Sequence, residues 1–161
     1  MKKIVKANDL LYIIVEIQLG KDWVEVDAFI DSGGSNNLAR PSLFKSSWKP
    51  LRNIINSETI GGNVTLTHYV DNIPMKIGGN IIKISAIQYY DQSSSLILGM
   101  PFITSVLPMT ITKDKIICNI KNKAVCVNRI SLAESDVKSR KTNKSYRDHS
   151  WAKSLTKRCE P

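Results

Sequence analysis

Histidine is scarce in this chain: His68 and His149 are the only two in 161 residues. Cysteine is nearly as scarce, limited to Cys118, Cys126 and Cys159, and no C-x-x-C pair occurs. Zinc sites draw on such residues at close spacing, so no metal and no cofactor is expected. The sequence also lacks a G-x-S-x-G elbow, a G-x-x-x-x-G-K-[ST] phosphate loop and an H-E-x-x-H helix, which sets aside the best-marked hydrolase and nucleotide chemistries. Long apolar runs are missing too. The longest covers residues 10–15, far short of the ~20 a bilayer span needs, and Met1-Lys2-Lys3 is not followed by the apolar core of an export signal. These absences predict a soluble, non-secreted chain, with no membrane partner and with free thiols in a reducing compartment.

What is present is a mildly basic, core-forming composition, with 42% apolar residues and a net charge of +9. The charge is uneven. The last 28 residues carry +4, from Lys138, Arg140, Lys141, Lys144, Arg147, Lys153, Lys157 and Arg158 against Glu134, Asp136, Asp148 and Glu160. Beyond residue 130 the apolar periodicity fades, leaving Trp151 and Leu155 as the large apolar residues at helical spacing. Residues 1–130 are therefore expected as one domain, and 131–161 as a basic tail or spacer whose sparse apolar content does not offset the entropy of ordering it. Nucleic acid is expected as a partner only through that tail.

Within the domain, Leu11, Ile13, Val15, Ile17 and Leu19 alternate with Tyr12, Ile14, Glu16 and Gln18, a strand period. A turn at Gly20-Lys21-Asp22 leads to a second alternation, Val24, Val26, Ala28 and Ile30, so the first two elements read as a hairpin. Short β-prone runs recur at 54–55, 64–67, 73–77, 81–87, 95–98, 116–120 and 124–127, parted by Gly, Asn, Asp or Pro. Residues 41–50 read as irregular, and one short helix is expected near Pro101. Ile60-Gly61-Gly62-Asn63 and Ile77-Gly78-Gly79-Asn80 form a near-repeat that reads as two hairpin tips. The pattern is all-β.

The second strand runs directly into Asp31-Ser32-Gly33-Gly34, so an apolar strand ends on a carboxylate followed by a small hydroxyl residue and glycines. A Gly-rich hairpin tip follows about thirty residues later, and a second apolar strand, Leu96-Ile97-Leu98, ends on Gly99. These three elements in this order resemble the retropepsins, the aspartic proteases of retroviruses, long-terminal-repeat retrotransposons and plant pararetroviruses. The resemblance spans about residues 10 to 130. The long segment between Asp31 and the hairpin tip and the basic trailing segment look most like a caulimovirus-type enzyme cut from a larger polyprotein. The chain departs from the family pattern at two places: Gly34 stands where Ala is usual, and Met100-Pro101 follows Gly99 where polar residues are usual.

The resemblance implies a retropepsin-like closed β-barrel or sandwich with a flap hairpin and one short helix, one catalytic half per subunit. Hydrolysis without a covalent intermediate needs two carboxyls sharing a proton at ~3 Å. Asp71, Asp91 and Asp114 lack the tripeptide, so the second carboxyl is expected to be Asp31 of another copy, making the enzyme a homodimer. The expected catalytic set is Asp31, Ser32, hydrogen-bonding across the interface, and Gly33, letting amides approach the carboxylates. The expected substrate-binding set is Gly34 with Ile60, Gly61, Gly62 and Asn63 of the flap, closing over an extended peptide bound as an added strand. The resemblance implies a viral or retroelement polyprotein as substrate, and the host-cell cytoplasm or the virion as the place of action. Two other readings stay open: a catalytically inactive retropepsin-like domain for dimerisation or peptide binding, and a small basic β-barrel that binds nucleic acid.

Overall fold

The computed structural model describes residues 10–59, 62–90 and 94–130. The expected tail at 131–161 and the flap-tip residues Ile60 and Gly61 lie outside the described residues. Ten strands form: β1 (Tyr12–Leu19), β2 (Asp22–Ile30), β3 (Leu38–Ala39), β4 (Lys49–Thr59), β5 (Gly62–Ile77), β6 (Asn80–Gln88), β7 (Leu96–Leu98), β8 (Thr110–Ile111), β9 (Lys115–Ile120) and β10 (Lys123–Asn128). Among the described residues, two short α-helices, α1 (Pro41–Phe44) and α2 (Met100–Ser105), and a 3-10 turn (Lys45–Ser47) accompany the strands.

The first hairpin follows the alternation closely. Ile13, Val15 and Ile17 of β1 and Val26, Ala28 and Ile30 of β2 all face the main core, and the strands pair from Tyr12↔Phe29 to Leu19↔Asp22. The opposite face carries a smaller cluster in which Tyr12, Ile14 and Ile130 are buried against Leu10 and Phe29. Strand order β1-β2-β7-β3-β6-β5, with β1 also pairing β5 at Glu16↔Lys76 and Ile17↔Met75, closes a six-stranded barrel. Closure removes the open edges of those six strands. β4 lies outside the ring on β5, and β8, β9 and β10 make a separate three-stranded sheet. That sheet adds Ile116, Cys118, Ile120, Val125 and Val127 to the same core.

Two expected runs, 64–67 and 73–77, prove to be one strand. β5 is sixteen residues long, and its register on β6 shifts between Val70 and Ile73, where Asn72 takes φ +52°. Before the irregularity Leu66 and Val70 point inward; after it Met75 and Ile77 do. An extra residue flips side-chain parity, so the period-two signal breaks in the middle of a continuous strand.

Residues 41–47, expected as irregular, hold α1 and a 3-10 turn. Pro41 occupies the first helical turn, Leu43 and Phe44 are buried, and the Trp48 indole donates to Pro41 O at 2.8 Å while packing edge-on against Phe44. This short piece is held by tertiary burial, since a four-residue helix has almost no stability of its own. α2 starts at Met100 with Pro101 in its first turn, where the helix was expected.

Of the two expected hairpin tips, residues 60–61 of the first lie outside the described residues, and the strand ends that flank them pair as Thr59↔Gly62. Gly78 and Gly79 join β5 to β6 with φ of +52° and +81°. A Cβ on Gly78 would lie 2.5 Å from Val125 Cγ1, so this tip seats against β10 with no room for a side chain. Gly78→Ala should therefore cost about 2–3 kcal/mol from overpacking and strained φ together, read as a lowered denaturant midpoint at unchanged slope.

The turn from β9 to β10 uses Lys121 and Asn122, both at positive φ. Cys118 and Cys126 are not cross-strand partners: Cys118 faces Val125, and Cys126 faces Ile117. Cys118 is a free, buried thiol. Burial pushes the Cys118 thiol up to about 11 from 9.0. The folded protein keeps that proton longer than the unfolded chain, so stability should fall as pH climbs from 9.0 towards 11. At pH 8 native Cys118 should resist iodoacetamide and react only after denaturation, which peptide mapping by mass spectrometry checks.

Candidate active site

Asp31 immediately follows β2, and its backbone amide donates to Leu98 O at 2.9 Å, continuing the parallel pairing of β2 with β7. The chain then turns. Gly34 N donates to Asp31 O at 3.1 Å, and Gly33 N donates to the carboxylate oxygen Asp31 Oδ1 at 3.0 Å. The carboxylate thus accepts an amide from its own loop, an interaction that orients it. Asp31 is half-buried at the mouth of the barrel, with Ser32 and Gly33 exposed beside it. A Cβ on Gly33 would sit 3.4 Å from Asp31 Oδ1, and one on Gly34 would sit 3.3 Å from Asp31 Oδ2, so both glycines lie directly against the carboxylate.

The end of β7 crosses behind this loop at backbone contact. A Cβ on Gly99 would fall 2.4 Å from Asn36 O and 2.7 Å from Gly34 O. Three consecutive residues there each hold the loop: Leu98 O accepts from Asp31 N, Gly99 N donates to Asn37 Oδ1 at 2.9 Å, and Met100 N donates to Gly34 O at 2.8 Å. Below the loop, Ser95 Oγ donates to the buried carboxylate of Asp27 at 3.0 Å, adding a side-chain link between β2 and β7.

The structure therefore brings Asp31, Ser32, Gly33 and Gly34 together with Gly99. Gly62 and Asn63 stand elsewhere, on the exposed end of the β4–β5 ribbon. Residues 62–66 of β5 pair with β4, whereas the pairings to β6 begin at Tyr69, so a two-stranded ribbon reaches beyond the barrel. Asn37 and Asp27 were not anticipated as part of the site. Asn37 follows five turn-forming residues, Ser32 to Asn36, and looks like loop chemistry, and Asp27 reads as an outward residue of an alternating strand. Among the described residues no three His, Cys, Asp or Glu side chains gather as a metal site, and no helix is long and apolar enough to cross a membrane.

A closed, mostly β barrel, an Asp-Ser-Gly loop at the end of one strand, and an apolar strand crossing behind it on glycine define the retropepsin-like class of aspartic protease. Residues 8–157 match the family model of the cauliflower mosaic virus peptidase (A3). The chain belongs to that family and is an aspartic endopeptidase. Among solved structures, the retroviral protease-like domain of Ddi1 from Leishmania major superposes with a TM-score of 0.51 at 20% identity, covering 79% of this chain and 96% of that one. At that identity the likeness concerns the fold. No curated protein sequence matches the chain.

Proposed function

We propose that the enzyme is a homodimer in which Asp31 of each copy supplies one carboxyl of the catalytic dyad, and that it cleaves a viral polyprotein, its own precursor included. The observation that carries this reading is the single Asp-Ser-Gly loop per chain, held at the mouth of a barrel of one-lobe size. One such carboxylate cannot both take a proton from water and give one to the scissile carbonyl oxygen, so a two-fold axis beside the loop is the simplest completion. Ser32 and Gly33, exposed at that edge, are the residues a second loop would meet. Gly34 and the flap residues Ile60, Gly61, Gly62 and Asn63 line the substrate side in this reading. A peptide laid between loop and flap would gain main-chain hydrogen bonds as an added strand.

In the dyad the water between the two carboxyls is deprotonated by the ionised member while the protonated member donates to the carbonyl oxygen, giving a tetrahedral diol without a covalent enzyme intermediate. Collapse of the diol reverses the roles, and a proton passes to the leaving amine. The family's viral description supports a polyprotein substrate, and residues 131–161 would then be a spacer towards the next product.

The reaction needs one carboxyl protonated and one ionised. The rate on a precursor polyprotein should therefore peak at mildly acidic pH and decline above neutrality. A rate that rises steadily to pH 9 would contradict the shared proton. Loss of cleavage with a pepstatin-type inhibitor is expected in the same assay.

A further inference from the structure

We infer that Asn37 is a positioning residue for catalysis, the bracket that fixes the Asp31 loop to β7 and to the strand supporting the flap. The inference rests on Asp31 being the catalytic carboxylate, as proposed above. Asn37 is only 5% exposed, yet it uses donors and acceptors in three directions. Its Nδ2 donates to Ser85 O of β6 at 3.0 Å, its Oδ1 accepts from Gly99 N at 2.9 Å, and its backbone O accepts from Ile87 N at 2.8 Å.

The loop from 31 to 37 is otherwise held at its start, by Asp31 N on Leu98 O, and at its middle, by Gly34 O on Met100 N. Asn37 supplies the far anchor. Gly99 passes the loop in backbone contact at Gly34 and Asn36, and its amide is held by the Asn37 carboxamide. The other arm of the same carboxamide reaches β6, which pairs with β5 along Tyr69–Ile77, the strand that runs on into the flap ribbon. One neutral group thus ties together the carboxylate loop, the strand behind it and the base of the flap.

The geometry needs a group that donates and accepts at once. A leucine would leave the Gly99 amide and the Ser85 carbonyl without this partner. An ionised carboxylate could accept from Gly99 N but would place an anionic oxygen against Ser85 O; a protonated carboxyl could serve both. Asn37 is buried, so its loss should leave substrate binding in place and act on kcat, where displacement of a reacting group by ~1 Å costs on the order of 10²-fold.

The test uses the full chain as Asn37→Asp, Asn37→Leu and Asp31→Asn, with kcat and KM measured across pH on a precursor peptide and normalised to folded dimer by circular dichroism and sedimentation. For Asn37→Asp we expect kcat within about threefold of wild type at acidic pH. It should fall on the order of 10- to 10²-fold as the introduced carboxyl ionises, with KM unchanged. This extra descending limb is read against the wild-type profile. Asn37→Leu should lose kcat at every pH; if it does not fold, the pH profile of Asn37→Asp, near wild type when acidic and falling as pH rises, carries the test alone. A kcat per folded dimer that matches wild type at all pH values would overturn the inference and leave Asn37 a stabilising residue. Full activity of Asp31→Asn would instead remove the reading on which the inference rests.

Discussion

Replacing Asp31 with Asn should lower kcat by about 10⁴-fold or more while leaving the fold intact, because the amide can neither take the proton of water nor share one with a partner carboxyl. The variant is conservative for structure. Its Oδ1 still accepts from Gly33 N, as the carboxylate does at 3.0 Å, so the unfolding midpoint should shift by less than about 1 kcal/mol. Asp31→Ala deletes that acceptor and confounds the two effects. The Asn variant also tests the two-half-site arrangement: mixed in equal amount with wild type and allowed to exchange, it should leave about a quarter of the dimers with both carboxyls under random pairing. Activity that falls only to about half would indicate that each chain works alone.

Gly99→Ala should be nearly as damaging, for a steric reason. The new methyl would meet Asn36 O at 2.4 Å and Gly34 O at 2.7 Å, both backbone atoms of the catalytic loop. Neither oxygen can move without breaking the Gly99–Asn37 and Met100–Gly34 hydrogen bonds. A cost of about 3 kcal/mol or more is expected, with activity lost even in the folded fraction. Gly34→Ala is the contrast. Its methyl would approach Asp31 Oδ2 at 3.3 Å, a contact that a shift of a few tenths of an ångström relieves, and activity should survive. Thermal melts and peptide cleavage on the two variants separate a loop that tolerates a methyl from a crossing that does not. Equal effects of both would contradict the packing described here.

Much of this site could be read from local pattern. The alternation through Val26, Ala28 and Ile30 points a strand at Asp31, and Ser-Gly-Gly ends it, so the place of the carboxylate follows from neighbours in the chain. The turns at Gly20, Gly78-Gly79 and Lys121-Asn122 follow in the same way from residues that accept positive φ. What local pattern misses depends on distant pairing. β3 has two residues and exists because Leu38 and Ala39 pair β6 on one side and β7 on the other. Asn37 gains its role from Ser85 and Gly99, separated from it in sequence by 48 and 62 residues. The continuity of β5 was hidden by its own irregularity, and the turn of α1 by its dependence on buried Leu43 and Phe44.

The most direct test of an aspartic endopeptidase built from two half-sites is the rate per mole of enzyme on a precursor peptide near pH 5 to 6, taken across concentrations that bracket the dimer dissociation constant from sedimentation. The specific rate should climb with concentration and level off as the dimer fraction does, with Asp31→Asn flat at background throughout. A specific rate that stays constant while the protein passes from monomer to dimer, or a folded dimer that cleaves nothing, would contradict it.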